Sequence, residues 1–144
     1  MATIADIQAL NFGYLTGEDL LQWCSPQLLI KQYTVDTNSL QNAVNFATSE
    51  IVSSFTTRYD LSGELAKTGS NRALLMVKIL SLLSIRNALG SFQELSEKMG
   101  DDFKWADGTV RAIRNGQMNL PLPAAATTKI STANLVCSNY LTFG

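Results

Sequence analysis

The stretch RALLMVKILSLLSIRNAL, Arg72 to Leu89, is apolar on nearly every side when placed on a helix. Only a narrow polar stripe through Lys78, Ser81 and Ser84 interrupts it. A helix apolar almost all round has to be enclosed by lipid or by other protein. This one falls short of the roughly 18–20 uninterrupted apolar residues of a membrane span, and Lys78 breaks it. It therefore belongs at the centre of a bundle, and the rest of the chain must supply the helices that cover it.

Covering helices are legible on both sides. Thr16 opens TGEDLLQWC as an N-cap, with Asp19 three residues on in a variant of the capping box that also complements the helix dipole. Ser25-Pro26 interrupts this segment and starts PQLLIKQY, with Pro26 at the first helical position. From Ser39 to about Arg58, the residues Leu40, Val44, Ala47, Ile51, Phe55 and Tyr59 recur at three- and four-residue steps, so one face of that helix is buried. YDLSGELAKTGSN then breaks the pattern, and Gly90 fits the C-terminal cap of the central helix. A fourth helix carries Leu95, Met99, Phe103, Ala106, Val110 and Ile113. Gly100 and Gly108 lie inside it, each costing about 1 kcal/mol relative to Ala, and a kink or break near MGDD is expected. Asn115-Gly116 supplies a left-handed stop.

After the stop the chemistry changes. NLPLPAAATTKISTANLVCSNYLTFG holds two prolines and a single charged side chain, Lys129. Thr128–Ser131 and Leu135–Cys137 are candidate strands of a hairpin. Ile130, Leu135, Val136, Tyr140, Leu141 and Phe143 give this tail apolar surface to bury, on its own bundle or by adding strands to a neighbour. The expected fold is mainly α, a bundle of about four helices with an extended or β-hairpin C-terminal tail. The expected organisation is an N-terminal extension over 1–13, a helical bundle over 14–116 and an extended arm over 117–144.

Catalysis finds little to work with. Histidine is absent, which removes the commonest general base and metal ligand. Asp101, Asp102 and Asp107 lack the alternating spacing of a calcium loop and are expected to be a solvated helix face. GELAKTGSN lacks the glycine spacing and the Lys-Ser/Thr pair of a phosphate loop. Cys24 and Cys137 form no CxxC pair and are expected to be buried, reduced thiols, although a single long-range disulfide is open to them in an oxidising compartment. No enzyme activity, cofactor or metal is expected. A net charge of −1 argues against a general binder of nucleic acid or anionic membranes, and no basic recognition helix stands out. The N-terminus MATIADIQAL has no basic region followed by a long apolar run, so the chain is expected to be made in the cytoplasm.

Three segments, taken in order, carry a resemblance. YLTGEDLLQW holds Tyr14, Thr16, Asp19 and Leu20. AVNFATSEIVSSFTTRYDL places a long helix before Arg58-Tyr59-Asp60-Leu61. DDFKWADGTVRAIRNGQMNLPLP ends on the Gly116 stop and the Leu120-Pro121 exit. Together, over roughly Tyr14 to Pro123, they resemble the small helical head–tail connector, or neck adaptor, proteins of tailed bacteriophages and Mu-like prophages. The chain departs from that pattern at both ends, in MATIADIQALNF and in the long tail.

The resemblance implies a structural virion protein of the neck, forming a homo-oligomeric ring, often of twelve subunits, beneath the portal. Its implied partners are the portal and a tail or second neck-ring protein. DNA would pass through the ring without specific recognition, in keeping with a chain that offers little excess positive charge to phosphate. The residues expected at protein contacts are Arg111, Arg114, Leu120, Ile130, Leu135, Val136, Tyr140 and Phe143. The competing reading is a small cytoplasmic helical protein that binds or regulates a partner without catalysis.

Overall fold

Seven α-helices form among the described residues, which are 2–90 and 96–125 of the computed structural model. In chain order they are α1 (Ile4–Gln8), α2 (Gly17–Leu21), α3 (Pro26–Val35), α4 (Ser39–Phe55), α5 (Ser62–Leu65), α6 (Leu74–Leu89) and α7 (Glu97–Arg114). A 3-10 turn, Gly69–Asn71, leads into α6. The described residues contain no strand, only isolated antiparallel bridges at Asn11–Thr16 and Tyr59–Ala124. The mainly α bundle expected from the sequence is therefore the fold. The candidate strands Thr128–Ser131 and Leu135–Cys137, and Leu95, lie outside the described residues.

The apolar run is α6, and it is central. Met76, Val77, Ile79, Leu80, Leu82, Leu83, Ile85 and Leu89 are all buried on it, as are Ser81 and Ser84. The long helix α4 packs along it through Leu40, Val44, Ala47, Ile51 and Phe55, the residues whose spacing marked a buried face. Opposing these, α7 contributes Met99, Ala106 and Ile113, while α2 and α3 cover the remaining side. Each fully buried Leu, Ile or Phe contributes about 1.5–3 kcal/mol. The polar stripe of α6 is accommodated in part: Lys78 sits over the rings of Trp23 and Trp105, 5.1 and 3.9 Å from their centroids, while the buried Ser81 hydroxyl has no hydrogen-bond partner among the described residues. The Ser84 hydroxyl donates to the Leu80 carbonyl at 2.7 Å.

Helix starts follow the expected chemistry. Thr16 and Asp19 form a reciprocal capping box on α2, and Pro26 occupies the first turn of α3. The break expected near MGDD does not occur, since α7 runs unbroken for 18 residues through Gly100 and Gly108. Its start is fixed by the Ser96 hydroxyl, which accepts the Met99 amide at 3.2 Å, and Met99, Ala106, Thr109 and Ile113 form its buried face.

Residues 2–13, within the segment expected as an extension, contribute to the body instead. Thr3 and Asp6 make a capping box on α1, and Ile7 is fully buried in the core. Gly17 lets this segment approach, because a Cβ there would overlap the Ile7 carbonyl. The Gly17 amide donates to the Leu10 carbonyl at 3.0 Å. Thus α1 is seated on α2 by backbone contact that only glycine permits.

Candidate functional site

The last helix ends as Asn115-Gly116 requires. Gly116 has φ +82°, the Gln117 amide donates to Ala112 O at 2.8 Å and the Gly116 amide to Ile113 O at 3.2 Å. These two bonds are the pair that defines a Schellman stop. Beyond the stop the chain turns back onto the body. The Asp60 amide donates to Pro123 O at 2.9 Å and the Ala125 amide to Arg58 O at 3.0 Å, bracketing the Tyr59–Ala124 bridge. Leu120 is buried, and its amide donates to the Tyr59 hydroxyl. The arm expected to start at 117 is therefore part of the folded body as far as Ala125.

Arg58 clasps this exit. Its guanidinium donates to the carbonyl of Ile113, to Met118 O at 3.2 Å and to Asn119 Oδ1 at 2.9 Å. One planar cation thus ties the final turn of α7 to the strap beyond it, and it sits where the helix dipole is negative. Its centre also lies 5.0 Å from the Tyr59 ring. Arg58-Tyr59-Asp60, singled out in the sequence, is the device that fixes residues 117–125 on the body.

Beside the clasp, Glu50, Ser54, Leu83, Asp107, Val110, Arg111 and Arg114 line a groove of about 160 Å³. Arg86 on α6 pairs with both carboxylates, with Glu50 at 3.2 Å and with Asp107. Arg111 and Arg114 are exposed and have no ion pair among the described residues. The groove is a bipolar surface with two cations available to a partner's acids.

The first segment of the resemblance builds a second polar cluster, at the head of α6. Glu64 is buried, accepts the Tyr14 hydroxyl at 2.5 Å and the Ala73 amide at 2.7 Å, and lies 3.2 Å from Lys67 Nζ. Burial opposes its ionisation, but those hydrogen bonds overcome it and hold the carboxyl below its ordinary value. Asp19 is likewise opposed by burial and still held down, by Arg72 and by Thr16. Arg72 grips Asp19 through both guanidinium nitrogens, at 2.5 and 3.1 Å, and donates to Tyr14 O at 2.8 Å. Burial and the Glu64 carboxylate together push the Tyr14 phenol far up. The cluster is a fastener between α2, α5 and the start of α6, in which Glu64 Oε2 takes both hydrogen bonds and Oε1 faces Lys67 alone.

The expected contact residues are dispersed. Arg111 and Arg114 stand together on the surface, Leu120 belongs to the chain's own core, and Ile130, Leu135, Val136, Tyr140 and Phe143 lie outside the described residues. Cys24 is buried, which pushes its thiol up to about 11 and leaves it unreactive; Cys137 lies outside the described residues. Asp102 pairs with Lys98 at 3.2 Å and Asp107 with Arg86, so two of the three clustered acids are tied to cations. Among the described residues, no three His, Cys, Asp or Glu side chains gather as metal ligands, and no helix is long and apolar enough to cross a membrane. The sequence singles out Arg58-Tyr59-Asp60 but not the acceptors of the clasp, since Arg58 and those acceptors are 55 to 61 residues apart. No protein-family model, curated protein or solved structure matches this chain.

Proposed function

We propose that the chain is a structural virion protein, a head-to-tail connector that assembles as a homo-oligomeric ring between portal and tail. The observation that carries this reading is the clasped exit. Arg58, Tyr59 and Asp60 hold residues 117–125 against the body, so the chain is anchored up to Ala125, where the apolar tail begins. An adaptor acts by geometry, and a tail launched from a rigid point loses less entropy on engaging a neighbour than one launched from a loose linker. Each segment of the resemblance also has a defined role. Tyr14, Thr16 and Asp19 belong to the fastener, Arg58–Asp60 form the clasp, and α7 supplies the stop from which the strap leaves. Arg111 and Arg114, exposed and without an ion pair among the described residues, can meet acids on another subunit.

The test is assembly with a portal. The gene neighbourhood should encode a portal and a major capsid protein. The purified chain, mixed with that portal, should form a ring visible by negative-stain microscopy and co-elute with it in size-exclusion chromatography with light scattering. A chain that stays monomeric and fails to bind that portal removes the reading.

A further inference from the structure

The outward face of α7 is divided by charge along its length. Glu97 and Asp101 are exposed in its first half, Arg111 and Arg114 in its last turns. None of these four side chains has an ion pair among the described residues, whereas Lys98–Asp102 and Arg86–Asp107 do. Glu97, Asp101, Lys104, Gly108 and Arg111 share the arc opposite the buried Met99, Ala106 and Ile113. Gly100 and Gly108 are open as well: a Cβ at either would meet nothing within 4 Å. Among the described residues no contact requires glycine at these places, where alanine would favour the helix.

We propose that this face pairs antiparallel with the same face of a second copy, across a two-fold axis between Lys104 and Gly108. Antiparallel pairing sets Asp101 of one copy against Arg111 of the other, and brings Glu97 to the level of Arg114, which stands at the flank of the arc about 100° round the helix from Glu97. Both levels are centred on nearly the same point of the helix, and the two-fold axis makes the Asp101–Arg111 pair twice. Gly108 then lies opposite Lys104 of the second copy, where the missing Cβ gives the lysine stem room. Parallel pairing in register would instead oppose like charges. An isologous contact closes as a pair, while a ring needs head-to-tail contacts, so this inference stands on α7 alone.

Sedimentation of the full chain without portal tests it. The expected result is a monomer–dimer equilibrium whose dissociation constant rises about tenfold or more between about 0.05 and 0.5 M salt. R111E/R114E and E97K/D101K should each be monomeric where the unaltered chain is dimeric, with unchanged circular dichroism because all four positions are exposed. Mixed together, the two variants should form a heterodimer. A chain that is monomeric throughout, a self-association that survives either variant, or a mixture that stays monomeric overturns the proposal. A chain that pairs through α7 yet binds no portal keeps this contact and removes only the ring reading.

Discussion

The Tyr59 hydroxyl accepts a hydrogen bond from the Leu120 amide at 2.9 Å, joining the end of α4 to the strap that leaves α7. Leu120 is buried, so its amide has no ready access to water. Removing the acceptor in Tyr59→Phe leaves that donor unsatisfied, which costs about 1–3 kcal/mol. The melting temperature should fall by several degrees, and amide exchange at Leu120 should accelerate more than at α6. An unchanged melt with unchanged exchange at Leu120 would mean that the hydroxyl is not its partner.

Arg58 should resist conservative replacement. A lysine ammonium is a compact donor group on a flexible stem and cannot span the Ile113, Met118 and Asn119 acceptors as the planar guanidinium does. Arg58→Ala should destabilise by about 1–3 kcal/mol, and Arg58→Lys should recover only part of that. Limited proteolysis is the sharper readout, because both variants should become cleavable within residues 117–125 before the bundle is cut. Full protection in Arg58→Ala would show that the backbone bonds of Asp60 and Ala125 suffice.

The elements that sequence displayed best are those whose stability is local or periodic. Leu40, Val44, Ala47, Ile51 and Phe55 defined α4 because one buried face repeats with the helix. Gly116 marked the end of α7 because only a residue tolerant of positive φ makes that stop. By contrast, α1 was hidden by its shortness, although Thr3 and Asp6 repeat the Thr16–Asp19 capping spacing and could have revealed it. The glycines of α7 suggested a break, but propensity is a weak prior against an intact buried face. Leu120, expected at a protein contact, is buried in the chain's own core. Its burial depends on Tyr59 and Arg58, and pairings across such separations leave no periodic trace.

Stability should fall at both ends of the pH scale. Asp19 and Glu64 have folded pKa values below their ordinary 3.8 and 4.5, so their contribution is fully present above those values. It is lost as pH falls through them and on through the depressed folded values. Tyr14 is raised above its ordinary 10.0, so its contribution is present below that value and lost as pH climbs beyond it. Thermal melts should therefore be level between about pH 6 and 9 and fall outside that range. Glu64→Gln should lower the plateau, since it removes the charge facing Lys67 and an oxygen's worth of acceptor capacity, and it should flatten the acid limb. An acid limb of unchanged slope in Glu64→Gln would show that Glu64 does not carry it.

Truncations on either side of the clasp separate the body from the tail. The core closes with Leu120 and Leu122, and the backbone bonds to the body end at Ala125. A chain ending at Ala125 should keep its helical circular-dichroism signal and cooperative melt while failing to assemble with a portal. A chain ending at Gln117 loses Leu120 from the core and leaves the Tyr59 hydroxyl without its donor. It should lose about 2–5 kcal/mol, the range for emptying a buried leucine site. Global unfolding of the longer truncation would show that residues 126–144 complete the core of their own chain. Assembly with a portal undiminished by that deletion would move the contact from the tail to the body.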